Sequence, residues 1–582
     1  MGYLLLWLES LTCSMLFISV AVACIARLNG RWRRLAAATL AILLPFAYYT
    51  ALTTLDAILE IHYRVQAGWF WPAVVLTLGY FAGAILLTTR GLTRAASDDR
   101  TVAADWPRGK LALALAAAVM LHAMTFSNLD ANAKQSLATI RAEATVLAMS
   151  VAPLRLPEHD NAALVYQRAF EAFGPYVGGT GELWPPIWDE AYKALTSHAE
   201  LGIDLNHIHG DQSGYAGDVK PPTEPAFDFK NPALGEFLTE RAGELALVRS
   251  AAAKPGCFFD RDYARPTFDM LLPEIQGLSV AGRLLAIHAR WSAEQGDLKG
   301  ALVDVGAMNG IARHAGAEPL LVSFLVSATI DELADTTLEA VLNGRHPTFE
   351  DLAAVKVEGG VSHRRMLVRT MRMEEAFIFN SIANLEAMDI RALGELTNGH
   401  SAPFISGLGA MYRVFFLNDD IAACRRAMHE YERLPTLSYE QYSGDASELQ
   451  NKMVRSPPGI VTGLLLPSLG PSTEVAFRAD AQRRLAQTAK AMHQFYARHG
   501  KFPDTLLVPN FLTLVPRDPY NDKPIQLKKT VNGWILYCVG PNLIDEGGER
   551  TDHSNRVTRQ GDLTIRYVEP QSSSERTPTE NK

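Results

Sequence analysis

The chain has little that commits it to a known chemistry. Its 582 residues include only five cysteines. Cys13 and Cys24 fall in one apolar stretch, while Cys257, Cys424 and Cys538 are too scattered for a CxxC redox pair or a zinc ribbon. There is no GxSxG elbow, no phosphate-cradling glycine loop and no HExxH helix, so the commonest hydrolase, nucleotide-binding and metalloprotease signatures are missing. The 55 Lys and Arg are outnumbered by 63 Asp and Glu, a formal net charge of −8. A nucleic-acid binder needs a basic face, and this balance argues against one.

Charge is scarce in four stretches near the start, residues 3–26, 35–55, 69–89 and 111–126. About 20 apolar residues at 1.5 Å each cross a hydrocarbon core, and these runs read as a four-helix transmembrane anchor over residues 1–126. The fourth is the shortest. Pro45 kinks the second span, and Trp69, Phe70 and Trp71 open the third as interfacial aromatics do. Arg27, Arg31, Arg33 and Arg34 fill the first gap, and Arg90, Arg94, Arg100, Arg108 and Lys110 fill the third; the second holds only Arg64. Basic short loops stay in the cytoplasm. The N-terminus and everything after the fourth span are therefore expected outside a bacterial inner membrane. No positive charge precedes the first span, which disfavours a cleaved signal peptide and a lipidated Cys24. Glu9, Asp56 and Glu60 lie in or near the spans and read as interfacial or capping residues rather than a transport path.

Residues 130–455 read as an α-helical body. Apolar residues recur at helical spacing over 132–149 and 161–173, and most strongly over 270–345. There a helix, a Gly296-Asp297 turn and a second helix suggest a tetratricopeptide-like hairpin or an irregular bundle, with Ala289, Ala301, Ala307 and Ala312 permitting close approach. The candidate chemistry is sparse. His207, His209 and Asp211 form an HxHxD string that metal ligation could use, but neighbouring Asn206 and Gly210 suggest a turn. His363, Glu374 and Glu375 offer an acid and a base. Adjacent carboxylates on a helix point about 100° apart, so a solvated helix face is the expected reading of the two glutamates.

From residue 456 the character changes. A long helix with Val475, Leu485, Ala489, Met492 and Tyr496 as its apolar stripe ends at Gly500, and short strands follow around Trp534 to Val539. Gly500 to Pro503 (GKFP), Asp518-Pro519-Tyr520, Gly540-Pro541-Asn542 and Asp545-Glu546-Gly547-Gly548 occur in that order. This order resembles the major pseudopilins of type II secretion. The resemblance covers about a fifth of the chain and implies a small α+β module over residues 456–570, before a polar, disordered tail at 571–582. In that family the last loop binds calcium. By resemblance Asn542, Asp545 and Asp552 would supply side-chain oxygens, with Asp562 as a further ligand; such interleaved acidic and amide oxygens suit a hard cation. The chain departs from the family in lacking a basic leader before a long apolar N-terminal helix, and in a longer segment over 549–561. No catalytic residues are assigned.

Together these features predict a mainly α, membrane-anchored extracytoplasmic scaffold or protein-binding component of the cell envelope. Its expected partners are the lipid bilayer and envelope proteins of a secretion or pilus-like assembly, with calcium the one expected ligand. The alternatives are an extracytoplasmic metal-dependent hydrolase using the histidines near residue 207, and a transmembrane sensor using Asp56 or Glu60.

Overall fold

The computed structural model describes residues 108–173, 186–188, 190–191, 227–267, 270, 272–353, 355, 361–384, 417–455, 466–507, 511–512, 514–549 and 561–569. The first three predicted spans, the HxHxD string, Asp552 and the 571–582 tail lie outside them. The described chain is mainly helical. Its helices are α1 (Arg108–Val151), α2 (Ala163–Phe173), α3 (Pro232–Glu240), α4 (Ala242–Ala252), α5 (Pro273–Glu294), α6 (Leu298–Ala317) and α7 (Leu321–Leu342). They continue as α8 (Phe349–Ala353), α9 (His363–Ala383), α10 (Leu417–Arg433), α11 (Tyr439–Arg455) and α12 (Ser472–His499). Three strands follow: β1 (Gln526–Thr530), β2 (Gly533–Cys538) and β3 (Leu563–Val568).

The described residues fall into two compact units. The smaller holds those up to Ala142 and those within 381–427 and 449–467; the larger holds those within 143–380, 428–448 and from Ser468 onward. From Ser468 onward, the described residues of the module expected over 456–570 share the larger unit with the body helices. α12 packs along α7 and carries the sheet on β2 and β3.

In the larger unit α5, α6 and α7 pack mutually, with α2 and α4 beside them. The hairpin expected at Gly296-Asp297 is present. Gly296 takes φ +87°, a conformation that costs glycine nothing. Asp297 caps α6 by accepting the Gly300 N–H at 2.8 Å. The four alanines singled out for close packing are buried. At Gly310 a β-carbon would stand 2.4 Å from the Ala252 carbonyl oxygen, so α4 and α6 meet where only glycine fits.

Helix α12 ends as its sequence predicts, with Gly500 at φ +70° donating its N–H to the Tyr496 carbonyl at 2.8 Å. Its burial differs from the expected single stripe. Leu485, Ala489 and Met492 are buried, Val475 and Tyr496 only half so, and Asp480, Gln482, Thr488, Lys490 and His493 are buried too. A helix enclosed on most of its circumference is a core helix, and its polar residues must then find partners inside.

The sheet is antiparallel throughout, in the order β1-β2-β3. Trp534 pairs across to Lys529 on one side and Tyr567 on the other. The outer side of β3 is closed by side chains. The Arg566 N–H donates to Glu339 of α7 at 2.9 Å, and the Val568 N–H donates to Asn343 at 2.8 Å.

Among the described residues no helix is long and apolar enough to cross a membrane. The fourth predicted span does not form an element of its own. It lies in the first turns of α1, which runs on to Val151. Leu113, Met120, Leu121 and Met124 in this first half are each more than half exposed. In the second half Ala133, Leu137, Ile140, Ala144, Ala148 and Val151 make a buried stripe at helical spacing.

Candidate functional site

The loop leaving β2 is built on tight turns. Leu543 at φ +59°, Gly547 at φ +70° and Gly548 at φ +78° reverse the chain within a few residues. Asp518 ties the preceding turn to the sheet. Its carboxylate accepts N–H groups from Tyr520 at 2.9 Å and Val539 at 2.7 Å. Burial pushes this acid up to about 6.

Of the four residues expected to hold a cation, three are described, and they do different things. Asn542 Oδ1 accepts the Ile544 N–H at 3.0 Å, and its Nδ2 donates to Glu546 Oε1 at 2.5 Å. Asp545 Oδ1 accepts the Gly547 N–H at 2.9 Å. Asp562, 4% exposed, accepts the Gly548 N–H on Oδ2 at 2.7 Å. Its other oxygen, Oδ1, is buried with no hydrogen-bond partner among the described residues, and so is Glu546 Oε2. Burial and the adjacent Glu546 carboxylate push the Asp562 acid up to about 6. Of the two neighbouring acids it is Glu546, not Asp545, that lies beside Asp562. In a turn this tight, Asp545 is spent on the backbone two residues on, as aspartates in turns usually are.

Two acids with one unsatisfied buried oxygen each, beside an amide, are a costly arrangement unless a positive charge joins them. Hard oxygen donors fit calcium or magnesium. Among the described residues no group of three or more His, Cys, Asp or Glu side chains converges on one point, so those described supply two carboxylates and an amide.

The acid–base candidates of the body prove to be helix fasteners. His363, 3% exposed, stands between Asp331 of α7 at 3.0 Å from Nε2 and Asp480 of α12 at 3.1 Å from Nδ1. The two carboxylates overcome the cost of burial and raise His363 to about 9. Asp480 also accepts the His363 N–H and the Ser362 hydroxyl, both at 2.7 Å, and so caps α9 from another helix. Arg483 pairs with Asp331 and reaches Asn309 at 2.7 Å, and Arg478 pairs with Glu332 at 2.8 Å. Asp335 lies 3.4 Å from Arg483, and burial pushes it up to about 7. Glu374 is half-buried rather than solvated. It accepts the Leu321 N–H at 2.8 Å at the start of α7, and burial raises it to about 7.

No protein-family model matches the chain, and no curated protein and no solved structure matches it either.

Proposed function

We propose that the chain is a membrane-anchored scaffold of the bacterial cell envelope. Its helical body holds protein partners outside the cytoplasm, and a cation fastens the loop beside its C-terminal sheet. The observation that carries this reading is the change along α1. Large apolar side chains stand exposed on its first half, while its second half has the narrow buried stripe of a packed helix. Exposed Leu and Met in such number belong against lipid or another apolar surface. The arginine-rich gaps before them support that orientation.

Full-length protein expressed in a bacterium is expected to stay in the membrane pellet after alkaline carbonate washing. Protease added to spheroplasts should degrade the body. Recovery in the soluble fraction, or a body cut only after lysis, would overturn the reading. The ordered pseudopilin-like pieces support an accessory role in a secretion or pilus-like assembly. In-cell cross-linking that recovers no component of such an assembly would remove that part.

For the cation we assign Asp562, Glu546 and Asn542, with Asp552 as the ligand implied by the pseudopilin resemblance. A cation that binds only the folded loop raises stability by about 2.7 kcal/mol at a hundredfold excess over its Kd. Calcium should therefore raise the melting temperature of the full chain over that in chelator, and Asp562→Asn should abolish the difference. In chelator Asp562→Asn should melt no lower than the parent, because it relieves the Glu546 repulsion and keeps an acceptor for Gly548. Identical melting in calcium, magnesium and chelator would exclude the site.

A further inference from the structure

The ion network between α7 and α12 contains one acid that fastens nothing. Asp335 of α7 is 1% exposed, and neither of its oxygens has a hydrogen-bond partner among the described residues. The other carboxylates of the network are served. Asp331 accepts from His363 and pairs with Arg483, and Glu332 accepts twice from Arg478. Asp480 accepts from Ser362 and from the backbone and ring of His363. Asn309 of α6 adds a second gap. Its Nδ2 is buried without a partner among the described residues, while its Oδ1 takes Arg483 at 2.7 Å.

A buried carboxylate without a donor either gains a proton or draws in a cation. The cation within reach is already committed. Arg483 Nη1 lies 3.4 Å from Asp335 Oδ1, but the same nitrogen donates to Asn309, and Nη2 pairs with Asp331. His363, Arg483 and Arg478 thus face four carboxylates, one more than they neutralise. Asp331 stands one turn before Asp335 on the same helix with Glu332 beside it, and both oppose a further negative charge. On the neighbouring elements, α5 meets α7 through Gly282 and Ile330, and β3 meets Glu339 through the Arg566 backbone. Arg364 of α9 commits its guanidinium to the carbonyls of Pro435 and Leu437. Burial therefore dominates, and it raises Asp335 from the ordinary 3.8 to about 7.

With a proton bound, Asp335 is neutral and the remaining charges balance. Without it, Arg483 is the group that must answer. It reaches Asp335 only by leaving Asn309, and the idle Asn309 Nδ2 is the donor that turns toward the new charge. This exchange changes partners on α6, α7 and α12 at once, and α12 is the helix that carries β2 and β3. We propose that Asp335 is a proton-binding site that latches α12 onto α6 and α7, closed with the proton bound and loosened when it leaves. Because the folded acid lies above its unfolded value, folding takes up a proton between the two. The stabilisation is full below pH 3.8 and is lost as pH rises through about 7.

Asp335→Asn keeps the shape of the protonated acid and cannot ionise. The test is urea unfolding of the detergent-solubilised full chain, parent and variant, across pH. The parent's unfolding constant relative to the variant's should rise about tenfold per pH unit between pH ~4 and ~7 and stay level above. The ratio cancels His314, His363 and His493, which titrate in both proteins. Hydrogen exchange along α12, corrected for its intrinsic rate, should be faster at about pH 8 than at about pH 6 in the parent and unchanged in the variant. A ratio that is flat or falls over the interval overturns the proposal, because Asp335 then binds no extra proton in the folded chain. Exchange along α12 that does not respond to pH, or responds equally in the variant, overturns the latch. Should Asp335→Asn fail to fold, Asp335→Ala removes the same ionisation and gives the same slope.

Discussion

His363→Gln is expected to lower the unfolding free energy of the larger unit by about 3–5 kcal/mol, the range seen when one partner of a buried ion pair is removed. Two carboxylates, Asp331 and Asp480, lose the charge between them, and three helices lose their common fastener. The pH dependence identifies the cause. The folded value of about 9 lies above the ordinary 6.5, so the stabilisation is full below pH 6.5 and is lost as pH rises through 9. That difference corresponds to roughly 3 kcal/mol across the interval. Urea unfolding of the detergent-solubilised chain at several pH values should show an alkaline decline that His363→Gln flattens. Equal slopes in the two proteins would mean that His363 is neutral in the folded state.

The second large effect has the opposite sign. His493 of α12 is 1% exposed, and neither ring nitrogen has a hydrogen-bond partner among the described residues. Phe502, Trp534 and Tyr567 stand edge-to-face around it, with ring centroids 5.1, 5.9 and 5.2 Å away. Burial drives its pKa down to about 3. The unfolded chain then binds a proton that the folded one refuses, so stability is full above pH 6.5 and falls as pH drops toward 3. His493→Phe should leave stability near pH 8 little changed and raise it by about 2–3 kcal/mol near pH 4.5. His314, lowered to about 4 by burial, works in the same direction and keeps some acid lability in the variant. A variant as acid-sensitive as the parent would place the liability elsewhere.

Much of the fold was legible before any coordinates. The α5–α6 hairpin, the stop at Gly500 and the strand at Trp534 depend on local rules, namely helical period, left-handed glycine and alternation, which operate within a few residues. The ion network was not legible. His363 meets Asp331 and Asp480 across 32 and 117 residues of chain. Glu374 shows the same limit. Its neighbour Glu375 and their shared helix suggested solvent, yet what decides its position is the start of α7, 53 residues earlier. In the acidic loop the turn geometry, which the sequence does not show, decides that Glu546 rather than Asp545 lies beside Asp562.

The side chains along the outer side of β3 bear on how the protein associates. An uncovered strand is a template on which a second chain can add by backbone pairing. Here Glu339 and Asn343 occupy the Arg566 and Val568 amides, two of those that such an addition would use. At the opposite margin β1 presents Lys528 and Lys529, charges that discourage stacking of like strands. Growth of this sheet from copy to copy is thereby opposed at both margins. Among the described residues that leaves helical surfaces and loops as the faces through which the chain can join an assembly.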